Sequence, residues 1–97
     1  MKILSERVIV TTNDANWLLD KGEGDREYRS RITFTSSFDQ KPVVQVSLAH
    51  LDIFNGTNSR IGVVAFNVDL DGFDLVFQTW ADTQIAGIGV VWLAYGD

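Results

Sequence analysis

The chain reads as all-β, a six-stranded antiparallel β-sandwich of immunoglobulin-like architecture. Three observations predict it. Apolar residues alternate with polar ones over short runs, the period of a strand with one buried face. No stretch holds apolar residues at helical spacing for three turns. Gly, Asn and Asp gather between the runs, as they do at the turns of an antiparallel sandwich.

A first, weakly patterned strand fits residues 4–11, around Val8 and Val10. Residues 12–28 carry Asn, Asp, Gly and Lys around Trp17 and show no alternation, so they read as a surface loop, the kind of segment that tends to carry function. A second strand fits 29–36, around Ile32 and Phe34. Pro42, the only proline, opens the third strand, where a missing N–H costs least. There Val44, Val46 and Leu48 alternate with Gln45, Ser47 and Ala49, and the same phase puts His50 on the face of Val46 and Leu48. The polar loop Asn55 to Ser59 leads to Arg60, which begins the fourth strand. In it Ile61, Val63 and Ala65 oppose Val64, Phe66 and Val68. Asp71-Gly72 reads as a tight turn, with Gly supplying a positive φ. Phe73, Leu75 and Phe77 then alternate with Asp74, Val76 and Gln78, and Trp80 ends this fifth strand. In the sixth, Ile88, Val90 and Trp92 alternate with Gly89, Val91 and Leu93. Both faces are apolar, which predicts a strand buried on both sides or an intersubunit surface.

Composition narrows the function classes. The 97 residues suit a single domain spanning 1–97. A hydrophobic share of 45% and a charged share of 22% are globular values. The net charge of −5 disfavours nucleic acid as a partner, because phosphate binding needs a basic face. It also disfavours an anionic membrane surface. With no Cys, disulfides, thiolate zinc sites and thiol nucleophiles are excluded. Met1-Lys2 is followed by two apolar residues before Ser5-Glu6-Arg7, which is no signal peptide. No apolar run approaches the roughly 20 residues of a membrane span. The expectation is a soluble protein with no membrane insertion, cytoplasmic or released by a non-classical route.

Candidates for chemistry are few. Asn67, Asp69, Asp71 and Gly72 have the spacing of a calcium loop, but Gln78 stands where the bidentate Glu belongs, and the flanks are β. A hairpin turn is the simpler reading, with a weak cation site as the alternative. His50, the single histidine, reads as structural, since a general base needs an oriented partner. No serine lies in a nucleophile elbow. The 13 acidic residues could include a glycosidase-like pair but read more simply as solvated loop charges. The expectation is a protein that is not an enzyme and uses no metal or other cofactor. Asn55-Gly56-Thr57 matches a glycosylation sequon and reads as a loop turn.

Two residues look misplaced in a plain sandwich. The hairpin joining the fourth and fifth strands sets the start of one beside the end of the other, so Arg60 and Trp80 share a rim. Asp82 lies near them, and the 20–28 loop reaches the same end. Trp80 is then either a lid on the core or a platform for a ligand. A planar aromatic beside a guanidinium and carboxylates suits a sugar, whose C–H face packs on the ring while its hydroxyls pair with charged groups. The plainer alternative is an Arg60–Asp82 surface pair with Trp80 covering the core edge.

From Arg31 to Tyr95 the chain resembles the H-type lectins, the family of the snail agglutinins and the discoidin C-terminal domains. The resemblance is carried by ITF at 32–34, Phe38, Pro42-Val43-Val44, Leu51-Asp52, Arg60, Asn67-Val68, Gly72-Phe73, Thr79-Trp80, Asp82-Thr83 and Val91-Trp92-Leu93-Ala94. It implies a sandwich that assembles as a homotrimer or homohexamer. It also implies metal-independent binding of N-acetylgalactosamine or galactose on glycans or glycoconjugates, in a pocket between neighbouring copies. By the same resemblance Arg60 would hold sugar hydroxyls, Trp80 would form the apolar wall, and Gly24 and Asp25 would contribute from the early loop, with Glu23 as the alternative acid. Two positions depart from the snail agglutinin pattern. Ala81 replaces a histidine and Ala86 a tyrosine, both of which grip the acetamido sugar. Galactose, another sugar, or an assembly domain without a sugar site are the consequent alternatives.

Overall fold

A computed structural model describes residues 1–97. Six strands follow one another: β1 (Lys2–Thr11), β2 (Arg26–Thr33), β3 (Val43–Ile53), β4 (Gly62–Phe66), β5 (Gly72–Thr79) and β6 (Ile85–Gly96). They form two three-stranded antiparallel sheets, ordered β1-β6-β3 and β2-β5-β4. The sandwich expected from alternation is what forms, with β2 starting and ending three residues earlier than the sequence pattern suggested.

Period two explains the core. Phe73, Leu75 and Phe77 of β5 face Ile88, Val90, Trp92 and Ala94 of β6, and all are buried. Phe34 packs at 5.8 Å from Trp92 and 5.2 Å from Phe38, closing one end of the interior. Trp17 closes the other. Although it lies in an unpatterned loop, it is 2% exposed, stacks 5.5 Å from Tyr28, and its Nε1–H donates to the Ile85 carbonyl at 2.8 Å. Asp14 braces this plug. Its Oδ1 accepts from the Asn16 N–H, and its Oδ2 accepts from the Tyr28 hydroxyl at 2.9 Å. Burial, and then the bond to Asp14, push the Tyr28 hydroxyl above its ordinary pKa.

Three local expectations are corrected. His50 does not share the face of Val46. A bulge between Leu48 and His50 inserts Ala49 and inverts the phase, so that His50 pairs with Gly89 and points outward, while Leu51 and Ile53 point in. Gly72 is not the positive-φ residue of its turn. That role falls to Asn67, at φ 51°, which also breaks alternation and turns Val68 toward the core. Gly72 is required instead by close approach, since a Cβ there would lie 2.0 Å from the Ile32 carbonyl oxygen. Lastly, β6 is central in its sheet but covered by its own chain on one face only, with Val91 40% exposed.

The loop of the calcium-like motif is a β4–β5 connection. Asp69 Oδ1 accepts from the Asp71 and Gly72 amides at 2.9 and 3.0 Å, and its Oδ2 pairs with Arg31 at 2.6 Å. Asn67 Nδ2 donates to Asp74 at 2.8 Å. The side chains that would coordinate a cation are thus occupied in shaping the turn.

Candidate functional site

The connections sort to two ends of the sandwich. Residues 12–25, 54–61 and 80–84 lie at one end, because β1, β3 and β5 finish there while β2, β4 and β6 start there. Every sequence-predicted site residue is at this end. Arg60 lies just before β4, and the Thr79 hydroxyl donates to its carbonyl at 2.6 Å. Since Gly62 pairs with Gln78, the register carries Arg60 alongside Trp80.

The geometry separates the candidates into two groups. Arg60 Nη1 donates to Asp82 Oδ1 at 2.8 Å and to Thr83 Oγ1 at 3.1 Å. The Thr83 hydroxyl in turn donates to the Asn58 carbonyl at 2.6 Å. The Arg60 side chain is 25% exposed, so the plainer reading of an Arg60–Asp82 pair is the arrangement found. Trp80 has another neighbourhood. It is 43% exposed and lines a cavity of about 370 Å³ with Asp25, Arg26, Glu27, Gln78 and Thr79. Asp25 is therefore beside Trp80. Gly24 is in the left-handed region at φ 82° and donates its N–H to the Ala81 carbonyl at 2.8 Å, so its part is to hold the loop. Glu23 is exposed and is not among the residues lining the cavity. Glu27 is.

Arg26 was invisible to sequence reasoning, yet it organises the rim. Its guanidinium donates to four backbone carbonyls: Gly24 at 3.0 Å, Lys21 at 2.8 Å, Ala81 at 3.0 Å and Thr83 at 2.7 Å. The five N–H groups of a guanidinium suit this work, because one side chain can bind carbonyls from two loops together. Ala81 sits between them with φ 56°, a conformation uncommon for a residue other than glycine. Its carbonyl accepts from both Gly24 and Arg26. The loops that carry Asp25 and Trp80 are thereby tied together beside the cleft.

Comparison with known proteins gives a consistent result. The family pattern described as "H-type lectin domain" matches residues 29–95. That span contains Arg60, Trp80 and Asp82 but starts after Gly24 and Asp25. A protein named "ATP synthase subunits region ORF 7" from Fuscovulum blasticum is 45% identical over 75 residues, covering 77% of this chain and 65% of that protein. A discoidin-1 polypeptide from Dictyostelium discoideum is 32% identical over 80 residues, which is 81% of this chain but 32% of the discoidin. The solved structure of wild-type discoidin II from the same organism superposes with a TM-score of 0.80. It is 22% identical, covering 96% of this chain and 36% of that one, so it shows a shared fold. This chain thus spans less than two-thirds of the length of each of these relatives. Sandwich, strand order and matched span agree, and the chain belongs to the H-type lectin family.

Proposed function

We propose that this domain is a metal-independent lectin that binds terminal galactose-type sugars and gains avidity as a homotrimer or homohexamer. The observation that carries the reading is Trp80, left 43% exposed at a cavity whose other walls are polar. A sugar presents an apolar C–H face to such a ring and hydroxyls to the surrounding acceptors. Asp25 would accept from ring hydroxyls. Arg60 spends only Nη1 on Asp82 and Thr83, which leaves its other N–H groups for a hydroxyl at the rim, and Asp82 would orient it. Lectin-family membership favours binding over catalysis. The preference between galactose and N-acetylgalactosamine rests on what Ala81 and Ala86 leave open.

One shallow site binds weakly, and several on one rigid body raise avidity by roughly 10² to 10⁴ on a multivalent surface. On the outer face of β1-β6-β3, Ile3, Ile9, Val43 and Val91 are exposed among Arg7, Gln45, Ser47 and His50, and these apolar residues favour assembly of copies. A glycan array with wild type beside Trp80→Ala and Arg60→Ala tests the reading. Galactosides should bind wild type and lose at least about tenfold in Trp80→Ala. Absence of any glycan signal from a well-formed oligomer would instead favour a second reading, an assembly domain that has lost its sugar. The existing Arg60–Asp82 pair is the observation on that side.

A further inference from the structure

We infer that the cavity beside Trp80 prefers sugars carrying a free amino group and disfavours sialylated or sulfated ones. The inference rests on the sugar-binding reading of the same cavity and adds the charge of the ligand.

The argument starts from which charges at this cavity are already matched. Asp25 makes no ion pair, and it lines the cavity beside Trp80. Glu27 is bonded through Oε2 to Arg29 at 3.2 Å, but Arg29 is divided between Glu27 and Asp74, the latter at 3.0 Å. Glu27 Oε1 is free to accept. The one cation in the lining, Arg26, is turned onto the four loop carbonyls. Arg60 stands at the rim outside the lining, with its Nη1 held by Asp82. Lys21 is exposed and outside the lining. The lining therefore offers carboxylate acceptors with no uncommitted cationic donor of its own, on a chain of net charge −5.

Ligand chemistry follows from that donor–acceptor balance. Neutral hydroxyls can donate to Asp25 and Glu27. An ammonium donates three N–H groups and brings the complementary charge. An acetamide keeps one N–H but adds a carbonyl that needs a donor, and for it the lining offers the neutral Gln78 amide, since the Thr79 hydroxyl is spent on the Arg60 carbonyl. A carboxylate or sulfate on the sugar would face Asp25 and Glu27 as a like charge. The carboxylates lie at an open cleft, so the preference is electrostatic, modest per site and screened by salt.

Calorimetric titration of the purified protein with galactosamine, galactose, N-acetylgalactosamine and a 6-sulfated galactose tests this. The titration is run at about pH 6, where the sugar amine is protonated. Galactosamine should bind about three- to tenfold more tightly than galactose at low salt, and the 6-sulfate more weakly than galactose. The galactosamine-to-galactose ratio should fall toward one in Asp25→Asn and in Glu27→Gln, and in the wild type at high salt. If Asp25→Asn loses all binding, the ratio in Glu27→Gln decides. Galactose binding with equal or weaker galactosamine binding, or a sulfated sugar bound best, overturns the inference and leaves the lectin reading intact. Failure of all four sugars to bind overturns both.

Discussion

The two outer faces of the sandwich are built on the same period yet finished in opposite ways. On β2-β5-β4, Glu27, Arg29, Asp74, Arg31 and Asp69 form a continuous chain of ion pairs, with Arg29 lying 5.6 Å over the Phe66 ring. These long side chains cover the sheet so well that Val76, in the middle, is fully buried. On β1-β6-β3 the outward positions mix Ile3, Ile9, Val43, Val91 and Tyr95 with Ser5, Arg7, Gln45, Ser47 and His50, and Gly87 and Gly89 leave gaps among them. Arg7 lies outward beside Val91 but makes no ion pair, so no network of charges covers the middle of this face. One sheet is finished for water by its own chain, and the other leaves exposed the apolar residues that the proposed assembly would cover. The inner faces, both apolar, conceal this difference.

One glycine from each sheet tests the contrast most strongly. Gly72→Ala would drive a Cβ into the Ile32 carbonyl at 2.0 Å, and backbone there cannot yield without unpairing β2 from β5. A loss of about 3 kcal/mol is expected in urea unfolding. Gly89→Ala meets the His50 Cβ at 2.8 Å, which moves only with the β3 backbone at its bulge, and the Ile9 side chain at 3.2 Å, which can shift, so a smaller loss of about 2 kcal/mol is expected. Equal losses would show that both sheets are equally rigid. Charging the open face comes next. Val91→Lys should convert the proposed oligomer to monomer in sedimentation velocity, whereas Phe66→Ser on the ion-paired face should leave the oligomer as it was. An unchanged Val91→Lys oligomer would move the interface elsewhere.

Arg26→Ala should cost about 1–2 kcal/mol, less than the sum of its bonds because water replaces part of them. Its signature is local: hydrogen exchange should accelerate in 18–25 and 80–84 and not in β1. The smallest effect concerns acid. Asp74 is held below the usual carboxylate range first by the Asn67 amide and then by Arg31 and Arg29. Asp69 is held low first by the Asp71 amide, with Arg31 adding to it. Carboxylates with depressed folded pKa values stabilise fully above the unfolded value of about 3.9, and that contribution disappears as pH falls through the lower folded value. Asp74→Asn should therefore flatten the loss of stability below about pH 4. An unchanged acid limb would mean that the ion-paired face is decorative.

Alternation made most of the sandwich legible, because the core-facing residues of β5 and β6 recur at period two. Where the period breaks, reading failed for local reasons. The Ala49 bulge inverted His50, and the left-handed Asn67 turned Val68 inward. Trp17 looked like a loop aromatic because the bond that buries it goes to Ile85, far along the chain. At the rim, the register placed Arg60 beside Trp80 correctly, but sequence could not show that Arg60 already holds Asp82. Nor could it show Arg26, whose partners are backbone carbonyls from two loops and leave no trace in residue identity. Glu27 was overlooked for a related reason. It became a cavity residue only once β2 was seen to begin at Arg26, which faces Glu27 outward beside Gln78.

Ala81 has a consequence for how such a rim can diversify. Its backbone is already in the left-handed region, where Asn, Asp and His are accepted more readily than other side chains. The carbonyl that ties the loops together belongs to the main chain and survives any exchange of side chain. Position 81 is thus a socket beside Trp80 into which evolution or an engineer can fit a new polar group in a single step. Ligand preference here can drift quickly while the scaffold beneath it stays still.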